Sequence, residues 1–268
     1  MICTVDSKEI IKIAARDGKE IAEVRDNQGR LLFENCGTLS GVPPLTFTSR
    51  GGNLIDYQIY GDAVNSQGCG DYDAESDGYQ IPVTVCGENL CPTSTVSLHK
   101  TNSRTRSIQV TCMQGNGYTF TCSITLEEIT TLGITFVYDG NYSRNATITI
   151  ANGKLTASVP KIDGRTINSL YLYISSTAPA DAQASLTNCW FGLSTSVPTT
   201  TPIYIGDAPL YAGEYLSYRE QKIYRNINGS LTPVSAEFPE IQAIEETNIL
   251  TVDTTVQPSD VYIKYKKG

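Results

Sequence analysis

Apolar and polar residues alternate with period two through most of the chain, and turn-forming residues interrupt the alternation about every ten residues. Between Gly18 and Glu34, two alternating segments (Ile21 and Val24; Leu31 and Phe33) flank Asp26-Asn27-Gln28-Gly29. That tetrad reads as a hairpin turn, because Asn and Gly tolerate positive φ. Just upstream, residues 10–15 fit a short helix. Gly41-Val42-Pro43-Pro44 reads as a rigid linker, followed by strands over 45–48, 54–60 and 79–85. Pro82 has no N–H to give a ladder, which points to a sheet edge or a bulge.

The alternation is cleanest from Ser94 onward. Residues 107–112 put Ile108, Val110 and Cys112 on one face, and Tyr118, Phe120, Cys122 and Ile124 follow beyond Gly115-Asn116-Gly117. Residues 134–138 read as a further strand. Asn152-Gly153, between 146–151 and 154–159, is the strongest hairpin signal in the chain. A two-residue turn there pairs Ile150 with Leu155, Ile148 with Ala157 and Ala146 with Val159, so turn chemistry and apolar pattern agree on one register. Residues 169–175 alternate Leu170, Leu172 and Ile174 against Tyr171 and Tyr173, and 184–193 close the set. Helical periodicity is almost absent, and the expected class is all-β, with a jelly-roll β-sandwich over 88–197. Beyond a linker-like 194–202, short strands are expected over 203–205, 211–218, 222–226 and 230–233. The stretch 235–268 is polar with one strand, 261–265.

Charge and composition remove whole classes of function. The chain of 268 residues carries 20 basic and 28 acidic side chains, a net charge of −8. That balance argues against a nucleic-acid partner, which asks for clustered Lys and Arg. No apolar run is long enough to span a membrane, and the first residues lack the apolar core of a signal peptide. Eight cysteines form no Cys-x-x-Cys pair, and without a secretory address they read as reduced, buried thiols. His99 is the one histidine and has no nucleophile motif beside it. The acid pairs Glu127-Glu128 and Glu245-Glu246 are adjacent in strands, and neighbours in a strand face opposite ways, which suits no glycosidase dyad. No catalytic residue and no cofactor is expected.

Two chemistries deserve weighing against their bland readings. Asp71, Asp73, Glu75 and Asp77 alternate before Gly78, a spacing that a hard cation such as Ca2+ accepts in a loop. The glycine falls too late for an EF-hand, and the bland reading, an acidic solvated turn, is preferred, so no metal is expected. The aromatic residues are skewed, with 16 Tyr against six Phe and one Trp. Tyr offers a rigid ring with a polar tip. Tyr171 and Tyr173, opposite an aliphatic face, and Trp190 are therefore the candidate ligand-binding residues, with a sugar ring as the stacked ligand. Trp190 shares a parity with Leu186, opposite Cys189 and Phe191, and either parity fits a core. Against this stands the bland alternative of partly buried tyrosines and a core tryptophan.

Three blocks and a tail carry a resemblance. They are Pro43-Pro44-Leu45-Thr46-Phe47 with Asn53-Leu54-Ile55-Asp56-Tyr57-Gln58-Ile59-Tyr60-Gly61, then Gly70-Asp71-Tyr72-Asp73 with Gly78-Tyr79-Gln80-Ile81-Pro82-Val83-Thr84-Val85, then Pro202-Ile203-Tyr204-Ile205-Gly206-Asp207-Ala208-Pro209-Leu210. The tail is Asn248-Ile249-Leu250-Thr251-Val252-Asp253-Thr254-Thr255-Val256-Gln257-Pro258-Ser259. Together they resemble minor structural proteins of prophages and tailed phages of Gram-positive, often gut, bacteria. The resemblance implies a virion component of the tail, tail tip or baseplate, without enzymatic activity, assembled in the bacterial cytoplasm. Its implied partners are other tail proteins, a host-surface glycan and a second copy of the chain. It carries over no site residues. A stand-alone bacterial carbohydrate-binding or adhesion protein is the alternative, which a secretion signal or wall anchor would favour. In the resembling proteins the Ile-Pro-Val-Thr-Val strand runs almost directly into Ile-Tyr-Ile-Gly, so the intervening residues read as an insert at a hairpin tip. The expected division is a hairpin segment over 1–40, a small discontinuous β domain over 41–87 and 198–235, the sandwich over 88–197 and a C-terminal extension over 236–268 with one strand.

Overall fold

The computed structural model describes residues 23–25, 28, 31–64, 66–100, 106–110, 112, 116–127, 132–159, 161–175, 177–219, 221–234 and 240–267. The helix expected over 10–15 lies outside them. Among the described residues the chain is antiparallel strand with a single 3-10 turn, Ser194–Ser196, and no α-helix, an all-β fold. It divides into two compact units, Met1–Cys86 with Thr199–Gly268, and Gly87–Pro198.

In the inserted unit, Gly87–Pro198, one sheet runs in the spatial order Thr95–His99, Gln183–Leu193, Tyr118–Glu127, Lys154–Val159, Thr147–Ala151. The other runs Arg106–Gln109, Ile167–Ile174, Leu132–Tyr138, Tyr142–Asn145. Alternation, reset by one bulge within Gln183–Leu193, sends Phe120, Leu155, Ala157, Leu186 and Phe191 from the first sheet, and Ile134, Phe136, Leu170 and Leu172 from the second, into one core. The rings of Phe136 and Phe191 meet across the two sheets at 6.0 Å. Asn152 and Gly153 both take positive φ, 51° and 71°, the backbone of a two-residue hairpin turn. Ile150 faces Leu155 and Ile148 faces Ala157. The expected third rung is absent. The ladder ends at Thr147 opposite Ser158, and the Ala146 N–H turns away to the carbonyl of Ile134 at 2.8 Å, because the chain there is crossing between sheets. Ile150 lies on an edge strand and is exposed.

The flanking unit is also a two-sheet structure. Thr199–Gly206, Gly78–Cys86, Gln242–Val252 and Leu45–Asn53 are neighbours in one sheet, with Asp71–Asp73 added alongside Gly78–Cys86. Ser230–Pro233, Lys222–Ile227, Tyr215–Arg219, Asp56–Tyr60, Asp260–Lys266 and Cys36–Gly41 make the other. Ile81, Val83, Ile203 and Leu250 from the first, with Tyr57, Ile59, Leu216 and Ile263 from the second, share a core. The expected division is corrected at both ends. Cys36–Gly41 belongs to this unit and not to a separate N-terminal segment; upstream of it, among the described residues, Glu23–Arg25 and Leu31–Glu34 pair as a hairpin. Residues 236–268 are no extension: they supply Gln242–Val252 and Asp260–Lys266, each an inner strand.

The first of these strands escapes pattern reading because its alternation breaks. Ala243 pairs with Gly52 and Glu245 with Arg50 without a shift of register, but the backbone departs from extended geometry on both strands, with φ of 80° at Glu246, 81° at Gly51 and 90° at Gly52. Inward positions then jump from Ala243 to Asn248, Leu250 and Val252. Asn248 is fully buried, yet its amide is satisfied: Oδ1 accepts the Ile244 N–H at 2.8 Å, and Nδ2 donates to the carbonyls of Ile244 and Glu246.

Counted along the chain, eight strands of each unit are wired alike. The first, eighth, third and sixth form one sheet, and the second, seventh, fourth and fifth the other. The flanking unit's eight are Cys36–Gly41, Leu45–Asn53, Asp56–Tyr60, Gly78–Cys86, Thr199–Gly206, Tyr215–Arg219, Gln242–Val252 and Asp260–Lys266. The insert enters between the fourth and fifth. Those two strands pair antiparallel, with Ile81 opposite Ile203, Thr84 opposite Thr200 and Val85 opposite Thr199. Immediately beyond, the Gly87 N–H donates to the Ser196 carbonyl at 2.9 Å.

Pro82 stands in an inner strand, opposite Pro202, and not at an edge. On its other side Gly78–Cys86 is partnered by Asp71–Asp73 up to Gln80 and by Gln242–Val252 from Val83, so Pro82 falls in the gap between the two. Its carbonyl accepts the Asp253 N–H at 3.0 Å on that side, and the missing N–H points the same way, where no ladder partner asks for it.

One buried charge ties the connection after Thr199–Gly206 to the unit. Arg225 donates to the carbonyls of Ile205, Ala208 and Pro209 and meets the Glu214 carboxylate at 2.7 Å. Truncating one partner of such a pair strands the other. Arg225→Met is expected to lose about 3–5 kcal/mol in urea unfolding, and Arg225→Met/Glu214→Leu to regain most of it. Equal losses in single and double variants would mean that the carbonyl contacts, not the ion pair, carry the effect. A second expectation follows from the paired flanking strands. Replacing residues 88–197 by Gly-Asn-Gly leaves a soluble chain with one cooperative thermal transition by circular dichroism; an aggregated or non-cooperative product would show that the ladder needs the insert.

Candidate functional site

The outward face of the four-stranded sheet in the inserted unit holds two of the three sequence candidates. Leu170 and Leu172 point into the core, so alternation turns Tyr171 and Tyr173 outward. Tyr171 is 38% exposed and lies in a cross-strand row with Ser107 and Thr135, and Thr135 in turn faces Asn145. The Thr135 hydroxyl donates to the Asn145 side-chain oxygen at 2.8 Å, which leaves the amide NH2 of Asn145 for a ligand. Tyr173 lies flat over its partner Gly133, whose missing side chain makes the room: a Cβ there would fall 2.1 Å from the ring. The result is a shallow surface of one open ring, one reclining ring and small polar groups, suited to stacking with hydrogen bonds at its rim.

Trp190 is not part of it. A bulge at Asn188, φ 52°, shifts the register of Gln183–Leu193 against Tyr118–Glu127, so Leu186, Cys189 and Phe191 all face the core. Trp190 is left on the other face, 5% exposed, with its ring over Gly192 and its Nε1–H donating to the Gly87 carbonyl at 3.5 Å. It covers the entry to the unit and offers a ligand no surface.

The acidic turn does not converge. Asp71 accepts the Thr255 N–H on both oxygens. Asp73 is held below the usual carboxylate range by hydrogen bonds from the Ser76 hydroxyl and N–H, and Asp77 accepts from the Tyr72 hydroxyl at 2.6 Å. Among the described residues no group of three or more acidic, His or Cys side chains is placed to hold a metal ion. His99 is exposed at the end of its strand.

All seven described cysteines are free thiols. Burial pushes Cys69 up to about 11 and Cys112 up to about 12, and Cys122 is raised by its hydrogen bond to Cys189 and by burial. Sequence reading missed the tyrosines of the flanking unit. Tyr60, Tyr215, Tyr224 and Tyr262 share the outer face of its six-stranded sheet, and Tyr72, Tyr79 and Tyr211 surround a cleft. The surplus of Tyr over Phe was their only sequence signal, because the cleft joins stretches far apart in the chain. No protein-family model and no curated protein matches this chain.

The raised thiols give stability a pH dependence. Because folding favours the neutral thiol, their contribution is complete below the free-thiol value of 9.0 and is lost as pH rises through the folded values of about 11 and about 12. The urea midpoint is expected to fall between about pH 8 and about pH 11. Cys69→Ala/Cys112→Ala should make that decline shallower; an unchanged slope removes these thiols as its cause. In urea without reductant, most of the eight cysteines are expected to react with a thiol reagent.

Proposed function

We propose that this chain is a non-enzymatic structural protein of a phage or prophage tail, and that its inserted unit is a jelly-roll module that contacts a surface glycan or a neighbouring tail protein. The jelly-roll assignment rests on the strand order, first-eighth-third-sixth against second-seventh-fourth-fifth, two Greek keys closed face to face. The tail assignment rests on the sequence blocks around Pro43, Gly70 and Pro202 and on the tail beginning at Asn248. The observation that carries the binding role is the outward Tyr171–Tyr173 surface on a rigid sheet. Recognition there is by shape and stacking, and modest affinity per copy is raised by the many copies of a virion protein.

The test is retention of the full-length chain on bacterial cell-wall preparations, as monomer and as an artificial multimer. Retention is expected to be weak for the first and strong for the second. Tyr171→Ala/Tyr173→Ala should reduce it with the thermal midpoint little changed. Retention on tail proteins but on no wall preparation would reassign the surface to assembly within the particle.

A further inference from the structure

Exposed tyrosines are ordinary when scattered singly. In the flanking unit two of them share one cleft of about 330 Å³, Tyr72 at 58% exposure and Tyr211 at 39%. Tyr79 is the third aromatic in its lining and meets Tyr72 edge-on, with ring centres 5.7 Å apart. The volume is at the small end for a ligand site.

Each wall is held by contacts made without a ligand. The Tyr72 hydroxyl donates to Asp77 at 2.6 Å. The Tyr211 N–H donates to the Glu214 carboxylate at 3.2 Å, and that carboxylate is fixed by Arg225. Between them Cys69 and Leu210 exchange both backbone hydrogen bonds at 2.8 Å. Gly68 and Gly70 line the cleft without side chains, and a Cβ on Gly68 would fall 2.7 Å from the Leu210 carbonyl oxygen. Little is left to order when a ligand arrives, which is the condition for useful affinity from a small contact area.

The chemistry of the lining selects a class. Among the described residues its one charged group is the Asp71 carboxylate, and no Lys, Arg or His lines it, so phosphate, sulfate and uronate are disfavoured. Among the described residues Asp71 accepts the Thr255 N–H, and a carboxylate has room for about four donors. Gln67 and Ser66 add amide and hydroxyl groups beside the rings. Aromatic faces next to acceptors that want hydroxyl donors fit a flat, hydroxyl-rich, uncharged ring. We infer that this cleft binds a neutral pyranose unit of a polysaccharide, independently of the Tyr171 surface.

The experiment titrates the full-length chain by calorimetry with neutral tetrasaccharides of glucose, galactose, mannose and N-acetylglucosamine, and with oligogalacturonate as the anionic comparison. At least one neutral sugar is expected to bind. Its affinity should fall about tenfold in Tyr72→Ala and in Tyr211→Ala, a loss of about 1.4 kcal/mol. Tyr72→Phe, which keeps the ring, should retain most of it, and all variants should keep the parent thermal midpoint. Tyr171→Ala should leave it unchanged. Saturation by no neutral sugar, binding of the polyanion alone, or survival of binding in Tyr72→Ala/Tyr211→Ala overturns the inference. Loss of sugar binding in Tyr171→Ala with the cleft variants unaffected also overturns it while supporting the role proposed for the inserted unit.

Discussion

Everything in this chain is arranged around keeping one interrupted hairpin paired. Gly78–Cys86 and Thr199–Gly206 are rungs of the same ladder up to Val85 and Thr199, although 113 positions separate those two residues, from 85 to 199. A flexible loop of that length would charge its closure entropy against the ladder. A folded insert avoids the charge only if its own two ends meet. Here they do, at the Gly87–Ser196 hydrogen bond, and the meeting is reinforced a few residues in. The Asn89 side chain accepts the Phe191 N–H and donates to the Cys189 carbonyl, and the Leu90 N–H donates to the Phe191 carbonyl at 2.7 Å. Trp190, read from sequence as a ligand-binding residue, covers the same place. Its burial at the neck serves the insertion.

The wiring of the strands makes such closure natural. When the first and eighth strands are sheet neighbours, a unit begins and ends at one place: Thr95–His99 lies beside Gln183–Leu193, and Cys36–Gly41 beside Asp260–Lys266. The two units share this wiring without any visible sequence repeat. What wiring demands of a sequence is a pattern of inward residues and turns at suitable places, and very different residues meet that demand. In the inserted unit Phe120, Phe136 and Phe191 are the large central side chains, while in the flanking unit Tyr57 and Tyr218 stack face to face at 4.9 Å.

How much could be read in advance follows from where the alternation is unbroken. The all-β class, the Asn152-Gly153 turn and the division of Leu170 and Leu172 from Tyr171 and Tyr173 were legible because period two and turn chemistry agree there. Three failures share a cause, a local departure from period two that only a partner strand explains. The positive-φ backbone at Glu246 hid Gln242–Val252, the bulge at Asn188 hid the direction of Trp190, and the handover between two partner strands hid how Pro82 is tolerated. Each depends on a residue distant in sequence. The tyrosine cleft was illegible for the same reason, since its rings come from stretches around 72, 79 and 211 that alternation alone cannot bring together.

The buried Arg225 shows how the fold converts a cost into a position. Removing a guanidinium from water is unfavourable, and an apolar substitute of similar size is often no worse for stability. An apolar side chain, however, has no use for the carbonyls of Ile205, Ala208 and Pro209, and it fixes no carboxylate. Arg225 gathers those carbonyls and Glu214 around one planar group, and Glu214 then holds the N–H of Tyr211. A connection that would otherwise be one more surface loop is thereby held at the Tyr211 backbone, beside the cleft that Tyr72 also lines. One desolvated arginine thus fixes Glu214, and Glu214 the backbone that carries an exposed tyrosine.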